Sequence, residues 1–546
     1  MSDYDKIRSF ETEILDRVHV EFEFYKYSED IVIPHLLQFF GDIERRRGDF
    51  IERGFTEISF SFYLTNMMHG ISHCIRWIKK QNNPQFVNSD HQSPHYIHRI
   101  SADFVNWGIS YHAIAQEFII WSRKIKQAIL NEENKTITFV HPLDYDYSKV
   151  HGLQLLYDAQ LQDIYSHYPH EKMEEEFSLW LSDIDLLNPP IANSIDWAKG
   201  TRSESYPLLL RKMSEIVFPE LPNSTDFQGY NLLELRQFFA LFFLNFHFIR
   251  WVEGVLDDKY GMDHSFGSNP LYLTSSHFRR LASKITGLSF SVVGAIITDL
   301  TFDHNNFHSS ITIQPFILSG SDVYYILPNL FTQLEPSRMI TGSLNKGPKK
   351  KIYDKLINKI ERVCLERLEG IIKEGGFWKC YNTKTIKYNG KQYQPDLIII
   401  DHTEAMLCVV DYKHFVGPIT ASEVEYRMNE TKKGINQVVG YVSVLSQIKK
   451  IATENIERYS VYGILLTHKP MPIPIPLNTG IVITDSNSFT TAIAKCHQNN
   501  HSLNHLLNNL RHEDLNYVND DFIGEDAEVN IKDWKIIRKV FKKQSS

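Results

Sequence analysis

At 546 residues the chain has room for about three or four domains, and its 42% hydrophobic and 23% charged content is ordinary for a soluble globular protein. A net charge of −8 excludes nucleic-acid binding through the whole surface, so any such surface must be a local patch. Five cysteines, at 74, 364, 380, 408 and 496, form no CxxC pair, which argues against a disulfide framework and favours a reducing cytoplasm.

The first segment, MSDYDKIRSFETEIL, has no apolar run of signal-peptide type. Three- and four-residue apolar spacing then predicts helices over Ile14–Tyr25, Ile31–Arg47, Phe62–Ile78 and Phe104–Leu130. Histidines recur there. His69 and His73 share a helix face, followed by His91, His95, His98 and His112. No HExxH pattern or cysteine pair completes a zinc set, so packed or surface histidines are the default reading.

Pro219–Ser224 marks a boundary, ending a helical domain over 1–218. The most apolar run, Phe238–Ile249, is twelve residues long and holds Asn245 and His247. A membrane span needs about 20 apolar residues, so this run predicts a buried helix and no membrane partner. Ser275–Leu300 resembles a helix-turn-helix with Ile311–Leu318 and Val323–Leu327 as a wing. An ordinary helical hairpin explains the same letters. The middle domain, 219–345, is thus α+β and winged-helix-like. Thr341–Pro348 reads as a linker, and Lys349, Lys350 and Lys351 open a basic patch suited to phosphates or simply to solvent.

From Lys351 to Lys373 the apolar residues share one helical face. On a 100° step Glu361 lies roughly 80° from its centre, and Glu366 roughly 140° away, toward solvent. Trp378–Tyr388 alternates as a strand, and Asn389-Gly390 is a strong hairpin signal. Lys391–Asp401 and Met406–Lys413 complete a meander, Ser422–Leu445 predicts a helix, and strands follow at Tyr459–Thr467 and Gly480–Thr484. If His402–Ala405 turn the chain, Asp401 pairs with Met406 and Asp396 falls opposite Asp411. Two carboxylates there, with Cα atoms about 4.5–5.5 Å apart, call for a cation, and hard oxygen donors suit Mg²⁺ or Mn²⁺.

Pro395-Asp396, then Asp411-Tyr412-Lys413, behind a helix bearing Glu361, resemble the PD-(D/E)xK nuclease superfamily. Gln437 and Tyr441 are similar to the QxxxY element of its RecB-like branch, and Lys413-His414-Phe415 with Gly417-Pro418 to Mrr-type restriction enzymes. The resemblance covers roughly 351–500, inside a nuclease domain over 346–500, and leaves a helical, basic tail over 501–546. It implies a restriction endonuclease-like α/β domain behind a mostly helical N-terminal half. It also implies a divalent-metal-dependent nuclease, with DNA expected before RNA. Asp396, Asp411, the Tyr412 carbonyl and Glu361 would hold Mg²⁺ or Mn²⁺, Lys413 would orient or help deprotonate the attacking water, and Gln437 and Tyr441 would contact the backbone or brace Lys413. A bacterial or phage endonuclease in restriction or defence fits this plan, the N-terminal half serving as sensor, reader or docking site for a partner or second copy. The alternatives are a nuclease fold that binds without cutting, and a helical interaction scaffold. Gly342–Gly347 has P-loop spacing but Pro348 stands where Lys must be, so no ATPase is expected.

Overall fold

The computed structural model describes residues 2–55, 57–81, 94–124, 126–140, 225–244, 270–306, 309–327, 349–382, 385–414, 421–468, 481–516 and 522–543, with isolated positions between. His91, Pro219–Ser224, Thr341–Pro348 and Gly417-Pro418 lie outside them. The N-terminal region is helical and the C-terminal region carries the main sheet. Two compact units form, one from residues within Met1–Ala115 and Leu161–Asp354, the other from residues within Gln116–Gln160 and Lys355–Ser546.

The first unit begins with α1 (Asp3–Glu13), opened by a capping box in which Ser2 and Asp5 exchange hydrogen bonds. Two 3₁₀ turns, Leu15–Glu21 and Glu23–Lys26, replace the helix expected over Ile14–Tyr25. The β-branched pair Val18 and Val20 disfavours a continued α-helix, and the tighter turns still bury Leu15, Val18 and Phe24. Then come α2 (Glu29–Arg45), α3 (Arg47–Glu52), α4 (Glu57–Lys79) and α5 (Pro94–Ser122). Helices α4 and α5 touch at Gly70 and Gly108; a Cβ on Gly70 would stand 2.6 Å from Ile109 N. The α5 helix stops eight residues short of its expected end because Gln127–Leu130 alternates with period two. Those residues form β1 (Gln127–Asn131), which pairs with β2 (Thr136–Val140).

Residues 232–244 form the apolar helix α6, buried at Leu235, Phe238, Phe239 and Phe242. After it come β3 (Leu271–Thr274), α7 (Ser275–Thr286), α8 (Phe290–Asp299), β4 (Ile317–Leu318) and β5 (Val323–Ile326). Thr274 and Ser289 cap α7 and α8, and Gly287 takes the left-handed conformation between them. The sheet order is β3-β5-β4 and the two helices are bent by 118°, which fits both the winged-helix expectation and an ordinary helical hairpin beside a small sheet. The expected wing, however, is held within the unit. Gly320 N donates to Glu29 Oε1, and Ser321 Oγ and Tyr325 OH each donate to Asp30 Oδ1 at 3.0 Å. Helix α8 carries no Lys or Arg. Glu29 and Asp30 of α2 thus hold the turn between β4 and β5 that the DNA-reading expectation would place in a groove. Among the described residues no single helix is long and apolar enough to cross a membrane.

The second unit opens along α9 (Lys350–Glu374) and then β6 (Lys379–Asn382). Next, β7 (Ile386–Tyr388) and β8 (Lys391–Tyr393) form a separate ribbon around Asn389-Gly390, both at positive φ as a type I′ turn requires. Pro395 lacks an N–H, so the strand expected to run from Lys391 to Asp401 breaks into β8 and β9 (Leu397–Asp401). Then follow β10 (Met406–Lys413), α10 (Ala421–Leu445), the short pair β11 (Lys450–Ile451) and β12 (Glu454–Asn455), β13 (Ser460–Thr467), β14 (Val482–Asp485), α11 (Ser486–Asn499) and α12 (Leu503–Asn516). The central sheet runs β14-β13-β10-β9-β6. Strand β9 is antiparallel to both neighbours, and β10, β13 and β14 are mutually parallel. One face packs on α9, α11 and α12 through Leu368, Cys408, Val410 and Phe489. The other packs on α10 through Ile400, Leu407, Val409 and Val438.

Helix α10 sits close because β13 carries Gly463, where a Cβ would collide with Val438 Cγ1. Gly463→Ala is expected to cost about 1–3 kcal/mol by overpacking, read as a lowered denaturant midpoint for this unit. The C-terminal segment, expected to be a helical basic tail, forms α12 and then a hairpin, β15 (Phe522–Ile531) and β16 (Trp534–Lys543). Strand β16 lies parallel to β2, with Ile536 opposite Ile137, both fully buried.

Candidate metal-dependent active site

The turn His402–Ala405 sets the register. Asp401 Oδ1 accepts from Thr403 N at 2.9 Å and Glu404 N at 3.3 Å, closing the loop between β9 and β10. Asp401 then pairs with Met406 and Leu397 with Val410. Asp396 lies one residue beyond this ladder, beside Asp411. Its Oδ2 accepts from Tyr412 N at 2.7 Å, which pins the carboxylate where the strand pairing ends.

Alternation along β10 aims Asp411 and Lys413 to the α10 face and Tyr412 to the α9 face. A residue's N–H and C=O leave a strand on the same side, so the Tyr412 carbonyl faces Asp396. The Lys413 carbonyl faces β13 and accepts from His468 N at 3.0 Å. Glu361 reaches this strand end from α9, its Oε1 accepting from His414 N at 3.0 Å. Glu366, on the same helix, is exposed and pairs with Arg362. Glu361, Asp396, Asp411 and Lys413 are thus brought together.

Lys413 Nζ stands 2.9 Å from Asp411 Oδ2. Burial pushes the Asp411 carboxyl up to about 6 against the pull of Lys413, and Asp396 and Glu361 add to the rise. Burial also raises Asp396 and Glu361. Burial alone would lower the Lys413 ammonium, but Asp411, Asp396 and Glu361 hold it above its ordinary value, so it stays protonated at neutral pH.

A raised carboxylate destabilises the fold once ionised. The unfolded Asp411 loses its proton near its ordinary value of 3.8, and the folded one near 6, so stability falls as pH rises between them. Asp411→Asn is therefore expected to stabilise the metal-free protein by about 1–3 kcal/mol at pH 7. It should do little at pH 4, as thermal melts at the two pH values will read. Equal effects at both would contradict the assigned cause.

Among the described residues no group of three or more His, Cys, Asp and Glu is placed so that it could hold a metal ion. The donors near this strand end are hard oxygens, three carboxylates and one strand carbonyl.

Gln437 and Tyr441 sit one turn apart on α10. Gln437 Nε2 donates to Tyr441 OH at 2.6 Å, and Tyr441 OH donates to the Gln394 carbonyl at 3.0 Å. The pair therefore braces the segment leading into Asp396, and not Lys413. Lys349 is taken by Asp299 in the first unit, which removes it from the expected phosphate patch. Lys350 and Lys351 are exposed at the start of α9. Sequence reasoning missed His414, whose backbone N–H holds Glu361, and a polar cleft of about 610 Å³ beside Asp396. Gln392, Gln394 and Asn436 line it, and amides flanking the Asn389-Gly390 hairpin and preceding Gln437 were the available signal. Compared with protein-family models, curated proteins and solved structures, the chain matches none.

Proposed function

We propose that this chain is a divalent-metal-dependent nuclease of PD-(D/E)xK type, hydrolysing phosphodiester bonds, with DNA ahead of RNA as substrate. One observation carries the reading: three carboxylates gather about the end of β10, Asp396 on the Tyr412 N–H, Glu361 on the His414 N–H and Asp411 on the Lys413 ammonium, with a polar cleft beside Asp396. The mixed five-stranded sheet with helices on both faces supports a restriction endonuclease-like fold.

Asp396, Asp411 and the Tyr412 carbonyl would hold Mg²⁺ or Mn²⁺, with Glu361 direct or through water. When bound, the ion supplies charge that polarises a phosphate and acidifies a water. Lys413, protonated, is suited to stabilise the charge that develops on the phosphate and is poorly suited to act as a base. Tyr441 and Gln437 hold the Asp396 segment in place. No covalent enzyme intermediate is required.

Labelled single- and double-stranded DNA and RNA, incubated with the purified protein and Mg²⁺ or Mn²⁺, test the proposal. Cleavage is expected, with loss on EDTA addition and in Asp411→Ala. Cleavage undiminished in Asp411→Ala would sink the assignment.

A further inference from the structure

We propose that the cleft beside Asp396 receives a single unstacked nucleobase, so that the substrate is single-stranded or locally unpaired nucleic acid at the point of attack. The inference rests on the nuclease reading for the meaning of its position, next to Asp396. Its recognition chemistry stands on the cleft itself.

The cleft is open to solvent and measures about 610 Å³, within the usual range for small-molecule sites. Its walls are four carboxamides, Gln392, Gln394, Asn436 and Gln437, and two phenols, Tyr393 and Tyr441. None of its lining residues is a cation, and Asp396 is its one carboxylate. A phosphate has no counter-charge among the residues lining this space. A base is neutral and planar, and it presents donors and acceptors in one plane. Carboxamides offer the same mixture, and Asn or Gln can pair with a base edge in bidentate fashion.

The six side chains divide by role. Tyr441 is buried and is tied to the Gln394 carbonyl, and the exposed Gln437 is tied to Tyr441. The Tyr393 ring stands edge-on to Tyr441, with centroids 6.5 Å apart and planes at 77°. Tyr393, half-buried, is the aromatic side chain we assign to stack on the base. Gln392, Gln394 and Asn436 are exposed at the mouth and are the groups available to read the base edge. A base inside a duplex is stacked on both faces, so it can lay a face on Tyr393 only when unpaired or flipped out.

Fluorescence anisotropy in Ca²⁺ buffer tests this with the full chain and two labelled single-stranded DNA 12-mers, one ordinary and one abasic throughout. The wild-type protein is expected to bind the ordinary strand about tenfold more tightly, the effect of one stacked and hydrogen-bonded base. Gln392→Ala with Asn436→Ala should shrink that preference to about twofold or less while leaving abasic affinity unchanged. Equal wild-type affinity for the two strands, or a preference unaltered by the double substitution, overturns the proposal. Mg²⁺-dependent cleavage, read on the same preparation, separates the two claims. Cleavage without base preference removes the pocket and keeps the nuclease; base preference without cleavage does the reverse.

Discussion

Asp396→Asn is expected to lower metal-dependent cleavage by about 10³-fold while leaving the fold intact. The asparagine carbonyl still accepts from Tyr412 N, the bond that pins this position at 2.7 Å. What disappears is one of three negative charges around Lys413 and with it an anionic metal ligand. Single-turnover rates at saturating substrate, taken across a Mg²⁺ series, measure the loss. A rate within tenfold of wild type at every Mg²⁺ concentration would show that Asp396 is a structural anchor only.

The second large effect is expected from Lys413→Met, where cleavage falls by about 10²–10³-fold but divalent-ion affinity does not fall with it. The ammonium now stands 2.9 Å from Asp411 Oδ2 and is raised by all three carboxylates. Removing it leaves those carboxylates without their resident counter-charge, so calorimetric titration with Mn²⁺ should show binding equal to or tighter than wild type. The methionine stem keeps most of the aliphatic packing. If metal affinity and rate fall together, Lys413 acts by organising the carboxylates and not on the phosphate.

The site was legible in the sequence where it depended on local rules. His402–Ala405 make a turn that fixes the register of β9 and β10, and a two-residue side-chain period then carries Asp411 and Lys413 to one face. Helical phase separated Glu361 from Glu366 for the same reason, and Asn389-Gly390 announced its own turn. Pro395 was also in view, yet the break it causes between β8 and β9 was read through as one strand. Contacts between distant residues left no local trace. Lys349 reads as a free basic group until Asp299 is found beside it, and the wing reads as open until Glu29 and Asp30 are found on its turn. The C-terminus reads as a helical, basic tail because the partner of its last strand, β2, lies about 400 residues earlier, and the pairing of Ile536 with Ile137 gives it a face to bury.

The central claim is that these carboxylates form a divalent-cation site, and anomalous diffraction from crystals soaked in Mn²⁺ tests it most directly. One peak is expected about 2.1 Å from carboxylate oxygens of both Asp396 and Asp411 and near the Tyr412 carbonyl, absent in Asp396→Asn. A fully soaked crystal with no peak there, or with Lys413 still seated on Asp411, would contradict the account.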